Sequence, residues 1–166
     1  MNELREGEVA LPFDPGSATP DGQVVFIGHI RSPWTAREDC PKNMTQARET
    51  GKQAVLELDA AYRDGLLGLD GHSHIAILTW LDRAKRNLII QKPRHATEAK
   101  GVFAIRSPVR PNPVGLHIVR LLGIDKDKGL LTLEAIDVLD GTPVIDIKPY
   151  YASTDAIPEA TRPSKS

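Results

Sequence analysis

Cysteine is nearly absent. Cys40 is the one thiol in 166 residues, which excludes an intrachain disulfide and a cysteine zinc cage. Long apolar runs are missing as well, and none approaches the roughly 18–20 residues that a membrane-spanning helix needs. The opening stretch carries Glu3, Glu6 and Glu8 where a signal peptide requires a basic start and an apolar middle. We therefore expect a cytoplasmic protein with no membrane partner. The sequence also lacks a phosphate-binding P-loop and a glycine-rich turn between an early strand and a helix. The three glycines of GLLGLDG (65–71) lead into a strand and have the wrong spacing. Any nucleoside-containing ligand must then be held by something other than a doubly wound α/β sheet. The net charge of −1 is too small for a nonspecific nucleic-acid coat, and no DNA partner is expected.

A hydrophobic fraction of 40% and a charged fraction of 26% are ordinary for one globular domain with a real core. The charge is segregated. Between Arg83 and Arg120 nine basic residues face only Glu98, a net +8, while the remaining 12 basic and 21 acidic residues sum to −9. Such a segment is either the footprint of a polyanion or a solvated face neutralised by the rest of the fold. Charge alone does not separate the two.

The pattern along the chain is mainly β. Residues 1–22 and 152–166 are poor in large apolar residues and read as flexible tails, leaving 23–151 as the domain. Val24–Ile30, Ala54–Leu58, His74–Leu81, Asn87–Gln91, Val102–Ile105, Leu116–Ile124, Leu130–Val138 and Val144–Ile147 have strand character. His74–Leu81 is apolar throughout, as a strand covered on both faces would be. Asp59 is placed to cap a short helix whose apolar positions are Tyr62, Leu66 and Leu67. A long polar loop spans 35–52 and has room for one helical turn. DKDKG closes one hairpin, and Asp140-Gly141 reads as a second hairpin turn. Six or more short strands with one or two small helices predict a closed or nearly closed sheet.

Two segments are dense in chemistry. In GVFAIRSPVRPNPVGL (101–116), Pro108, Pro111 and Pro113 stiffen a loop that presents Arg106, Ser107, Arg110 and Asn112. Rigid presentation suits a pocket wall, although a proline corner with arginines paired to carboxylates has the same composition. In DVLDGTPVIDIKPY (137–150), Asp140 reads as turn-forming, Asp146 points away from the face of Ile145 and Ile147, and Asp137 is the candidate acceptor toward a ligand. His72 and His74 share a strand face at chelating spacing, with His95 and His117 as further donors. Two histidines do not make a site, so no metal is expected and a hydrogen-bonded pocket histidine is the better reading.

Taken together, FIGHIRSPW (26–34), GLLGLDGHSHIAILTWLDRA (65–84), GVFAIRSPVRPNPVGL and DVLDGTPVIDIKPY resemble the TrmO, YaeB or TsaA-like family of SAM-dependent tRNA methyltransferases. The matching pieces cover roughly 25–150, in the family's order. The resemblance implies a single-sheet β-barrel, a homodimer and a pocket for S-adenosyl-L-methionine near the dimer interface. It implies methyl transfer to N6 of threonylcarbamoyl-adenosine, beside the tRNA anticodon. Carried over by motif, Ser32, Pro33, Trp34, Ser73, His74 and Arg106 should bind the cofactor, with Asp140, Gly141, Thr142 and Pro143 as further contacts.

Elementary chemistry is compatible with that assignment. Arg106 can pair with the cofactor carboxylate, and Trp34 can offer a face to a ring or cation. Methyl transfer needs an in-line approach, which is mainly a matter of positioning. The amide-like nitrogen is a poor nucleophile, so Asp137 is the candidate proton acceptor. Arg83, Arg86, Arg94 and Arg110 are the candidate phosphate contacts. Ile105, His117 and the loop EDCPKNMTQARE depart from the family pattern and point to a divergent subgroup. Two other readings stand beside the tRNA enzyme: a SAM-dependent methyltransferase of another nucleoside or small molecule, and a SAM- or RNA-binding module without catalysis.

Overall fold

A computed structural model describes residues 4–92 and 96–163. Six strands close into an antiparallel barrel: β2 (Gly28–Arg31), β3 (Ala54–Leu58), β4 (His74–Trp80), β7 (Val114–Asp125), β8 (Leu130–Leu133) and β9 (Pro143–Pro149). Their order round the barrel is β2-β3-β8-β7-β4-β9. A small sheet of β1 (Val9–Ala10), β5 (Leu88–Gln91) and β6 (Lys100–Gly101) lies beside it. The predicted mainly β barrel is therefore observed, with an additional sheet. Part of the segment expected to be a tail is paired, because Val9 and Ala10 lie against Ile90 and Leu88.

Strand alternation fills the barrel. In β4, Ile75, Ile77 and Thr79 are buried while His74, Ala76, Leu78 and Trp80 are only half-buried. The expectation that this strand is covered on both faces is thus corrected: one face meets the core, the other lines the barrel wall. The core joins Ile75 and Ile77 to Ile30, Leu56, Val119, Leu131 and Leu133. Strand β7 is long enough to serve two neighbours. It pairs β4 along Val114–Arg120 and β8 along Leu121–Asp125, with a register shift in the second pairing between Leu121 and Gly123. Such a bulge bends a strand and helps a small sheet curl shut.

Several local expectations change for physical reasons. The run 24–30 forms a strand only from Gly28, because Gly28 already faces Leu58, the last residue of β3. Val24 and Val25 extend past that partner and stay exposed. Residues 102–105 do not form a strand; Val102–Ala104 is a 3-10 turn. The helix after Asp59 is also 3-10, over Ala60–Leu66. It buries only Leu66, and Leu67, just past its end in an extended conformation, is exposed. In the loop 35–52 the expected turn is helix α1 (Met44–Glu49), whose Asn43 side chain accepts from the Gln46 amide. A final short helix, α2, spans Ala152–Asp155. No helix among the described residues is long and apolar enough to cross a membrane.

Candidate functional site

The loop after β2 and the segment after β8 hold each other by side chain and backbone. Ser32 Oγ donates to Val138 O at 2.8 Å, and the Trp34 indole N–H donates to Ile136 O at 2.8 Å. In return the Asp140 carboxylate accepts from the Ser32 amide at 3.1 Å. Three backbone bonds continue the clamp: Asp140 N to Trp34 O, Gly141 N to Ile30 O, and Ile30 N to Thr142 O. These donors explain why 134–138 leaves the sheet although its composition predicts a strand. Asp140-Gly141 does form a turn, with Gly141 at φ +79°, a left-handed conformation that favours glycine. It is not a hairpin turn, since β8 and β9 are not neighbours in the barrel.

This geometry reassigns Trp34. Only 5% of it is exposed, its N–H is committed to Ile136, and Lys52 Nζ sits 5.1 Å from its ring centroid. It anchors the clamp and has no face free for a cofactor ring. Pro33 beside it is exposed. Thr142 is buried and its hydroxyl donates to Leu139 O at 2.7 Å, while Pro143 pairs with His29 at the start of β9.

The proline loop lies at the same end of the barrel. Leu81 N donates to Pro113 O, joining the loop to the end of β4. Arg86 stacks over Trp80 at 5.3 Å and donates to Pro111 O and to Asn112 Oδ1. Arg110 donates to Ile105 O and Ser107 O within the loop itself. Both guanidiniums, expected as phosphate contacts, therefore brace the proline loop. Arg106 is exposed and donates to Leu116 O at 3.2 Å, with no carboxylate partner among the described residues. Arg83 is also exposed and reaches Asp140 O at 3.3 Å, tying the basic segment to the clamp. Arg94 and His95 lie outside the described residues.

Asp137 lies between the two clamped carbonyls of Ile136 and Val138. Its Oδ1 accepts from His117 Nδ1 at 2.7 Å, and His117 Nε2 lies 2.9 Å from Thr79 Oγ1. Thr79 and His117 are buried inside the barrel end. The lone Cys40 is half-buried nearby. Burial and the Asp137 charge push its thiol up to about 11, against the opposing pull of Arg37. The role of Thr79 was not read from the sequence. A glycine inside a strand, Gly115, was the available signal for a close approach at this point.

Ser73 and His74 are elsewhere. His74 begins β4 and Thr79 ends the buried face, so six residues of strand, about 20 Å, separate Ser73 from Thr79. Ser73 Oγ bonds His74 Nδ1 at 2.9 Å, and His72 Nδ1 is held at 3.1 Å by Leu69 O. A cleft of about 240 Å3 opens beside them, lined by Asp70, His72 and the β7 bulge at Leu121–Ile124. No group of three or more metal-binding side chains is assembled among the described residues.

Comparison with known proteins places these features in a family. Residues 29–156 match the model of the tRNA-methyltransferase O N-terminal domain. A probable S-adenosyl-L-methionine-binding protein of Methanothermobacter thermautotrophicus is 41% identical over 131 residues, 79% of this chain and 91% of that protein. The tRNA (adenine(37)-N6)-methyltransferase of Escherichia coli is 36% identical over 141 residues, 81% of this chain and 60% of that protein. A crystal structure of TrmO from Pseudomonas aeruginosa superposes with a TM-score of 0.69 at 34% identity, covering 86% of this chain and 62% of that one. With the family model matched over most of its length and the barrel shared, the chain belongs to the tRNA-methyltransferase O family.

Proposed function

We propose that this chain uses S-adenosyl-L-methionine to methylate N6 of threonylcarbamoyl-adenosine beside the tRNA anticodon, as a cytoplasmic homodimer. One observation carries the reading: three motif segments distant in sequence, 32–34, 106–113 and 137–143, meet at one end of the barrel, edged by exposed arginine. Arg106 fits the carboxylate of the cofactor, being exposed and without an acidic partner among the described residues. When bound, the cofactor supplies an electrophilic methyl carbon. The chain's own residues then bind, orient and take up a proton. Asp137 is the carboxylate we assign to the last task, and Arg83, with the basic segment around it, suits the phosphates of tRNA.

Two observations support the homodimer in this reading. Ser73 and His74 stand at the start of β4, four strand residues or about 13 Å from Leu78, the partner of the Leu116 whose carbonyl holds Arg106. A second copy can bring its Ser73–His74 end to the first copy's Arg106. The outward face near Arg106 supports this, since Phe103, Val114 and Leu116 are 77%, 41% and 48% exposed, an apolar surface suited to burial against a partner.

The test is mass spectrometry of tRNA nucleosides from a strain lacking the protein, together with calorimetry of SAM on purified protein. The strain should lose the N6-methylated form of threonylcarbamoyl-adenosine, and Arg106→Ala should weaken SAM binding by about 1.5–3 kcal/mol. Unchanged nucleosides with intact SAM binding would move the reading to another nucleoside or a small molecule.

A further inference from the structure

We propose that His117, set by Thr79, is a positioning residue that holds Asp137 as the proton acceptor of the reaction; the inference rests on the methyltransferase reading above. Three side chains form one chain of hydrogen bonds: Thr79 Oγ1 to His117 Nε2 at 2.9 Å and His117 Nδ1 to Asp137 Oδ1 at 2.7 Å. An ionised carboxylate only accepts, so Nδ1 carries a proton. In the neutral ring Nε2 is then an acceptor, and the Thr79 hydroxyl donates to it. Thr79 makes no other side-chain hydrogen bond among the described residues, so its hydroxyl is committed to fixing that tautomer.

The order threonine, histidine, aspartate resembles a nucleophilic triad, but this end of the network is closed. Thr79 has no exposure, and Gly115 lies flush on it: a Cβ there would fall 2.3 Å from Thr79 Oγ1 and 2.6 Å from His117 Nε2. No substrate reaches that hydroxyl. The open end is Asp137, whose side chain keeps 16% exposure and whose Oδ2 has no hydrogen bond among the described residues.

Asp137 is held from three directions. The carbonyls on either side, Ile136 and Val138, are tied by Trp34 and Ser32, and its own Oδ1 is tied by His117. A solvated surface carboxylate needs none of this, whereas a proton acceptor must keep one lone pair in a fixed direction. Other titratable groups lie close by: the Cys40 thiol, which burial and then the Asp137 charge push up, and Arg37, which opposes that shift.

The acceptor nitrogen needs no strong base. As it bonds to the methyl carbon, the carbon–sulfur pair withdraws to sulfur, which leaves as a neutral thioether. The nitrogen becomes acidic only as that bond forms, and its proton passes to Asp137 Oδ2, giving a neutral carboxylic acid still hydrogen-bonded from Nδ1.

Two measurements test this. The first is 15N NMR of the His117 ring in the protein without SAM, which should show the Nδ1–H tautomer; an Nε2–H tautomer overturns the proposal whatever the activity. The second is steady-state tRNA methylation. Asp137→Asn should lower kcat by about 100-fold or more, within the usual range for loss of a general base. Thr79→Val, which removes the hydroxyl at constant shape, should lower kcat about tenfold with both KM values unchanged, and Thr79→Ser should recover it. A Thr79→Val protein that melts earlier but turns over at the wild-type rate while folded makes the network a structural plug and overturns the proposal. Should Thr79→Val fail to fold, full activity of Asp137→Asn overturns it equally. Wild-type protein that binds SAM but methylates no tRNA removes the reaction itself, and the inference with it.

Discussion

Substitution of Gly115 by alanine is the sharpest probe of the barrel end. The new Cβ would stand 2.3 Å from Thr79 Oγ1 and 2.6 Å from His117 Nε2, two atoms already only 2.9 Å apart. Neither neighbour can step aside cheaply. Thr79 is β-branched, stiff at χ1 and fully buried, and His117 is fixed at its other nitrogen by Asp137. The methyl must therefore break the Thr79–His117 bond inside the barrel, costing about 1–3 kcal/mol for buried groups left unpaired. Overpacking adds about 1–3 kcal/mol. At about 2–4 °C per kcal/mol for a chain of this size, the combined effect is a fall in Tm on the order of 5–20 °C by calorimetry. Gly65→Ala is the control, since a Cβ there meets nothing within 4 Å and its effect should stay within about 0.5 kcal/mol. A double substitution with Thr79→Ala removes the nearer clash and should recover part of the loss, as coupled neighbours do. If Gly115→Ala melts within about 1 °C of wild type, the close approach described here does not exist and the hydrogen-bonded network loses its support.

Other outcomes follow from the same geometry. Trp34→Phe should cost about 1–3 kcal/mol by leaving the buried Ile136 carbonyl unpaired and should leave SAM affinity within about twofold; a selective loss of SAM binding would restore Trp34 to the pocket. The Cys40 thiol, at about 11 against an ordinary 9.0, should alkylate at pH 8 on the order of 100-fold more slowly than a free thiol, and Asp137→Asn should speed it; equal rates refute the placement. Because the folded value lies above the unfolded one, the Cys40 contribution to stability is complete below pH 9 and is lost as pH rises toward about 11, a decline that Cys40→Ser should reduce in urea titrations. Replacing Arg83 and Lys85 by alanine should lower the slope of log affinity for tRNA against log salt by about 1–2; an unchanged slope makes the basic segment a solvated face.

Strand identity was largely legible because alternation and turn residues are local. The motif segments were found for the same reason. What escaped the sequence depends on barrel closure, which spacing does not encode. Trp34 read as a cofactor-pocket face, and its commitment to Ile136 was not legible because that partner is 102 residues away. Arg86 read as a phosphate contact because its acceptor, Pro111 O, lies across the loop it braces. His117 was visible as a departure from the family pattern, yet nothing nearby in sequence names Thr79 or Asp137 as its partners, 38 and 20 residues distant. Asp140-Gly141 carried a correct turn signal with the wrong meaning, because turn chemistry does not say which strands the turn connects.

The barrel closes on a short seam. Strands β2 and β9 share only two paired positions, Gly28 with Val144 and His29 with Pro143, and proline brings no amide to the ladder. The clamp of Ile30, Trp34, Asp140, Gly141 and Thr142 carries the rest of that joint. In hydrogen exchange the amides of 27–34 and 140–144 should therefore open as one unit, at lower free energy than the seven-position seam between β4 and β7. The joint also links segments more than 100 residues apart, so on folding it is the contact whose loop closure costs most entropy and is made late. The residues of this joint are also the ones that hold the backbone on either side of Asp137, so on this expectation the carboxylate is fixed only once the barrel has shut.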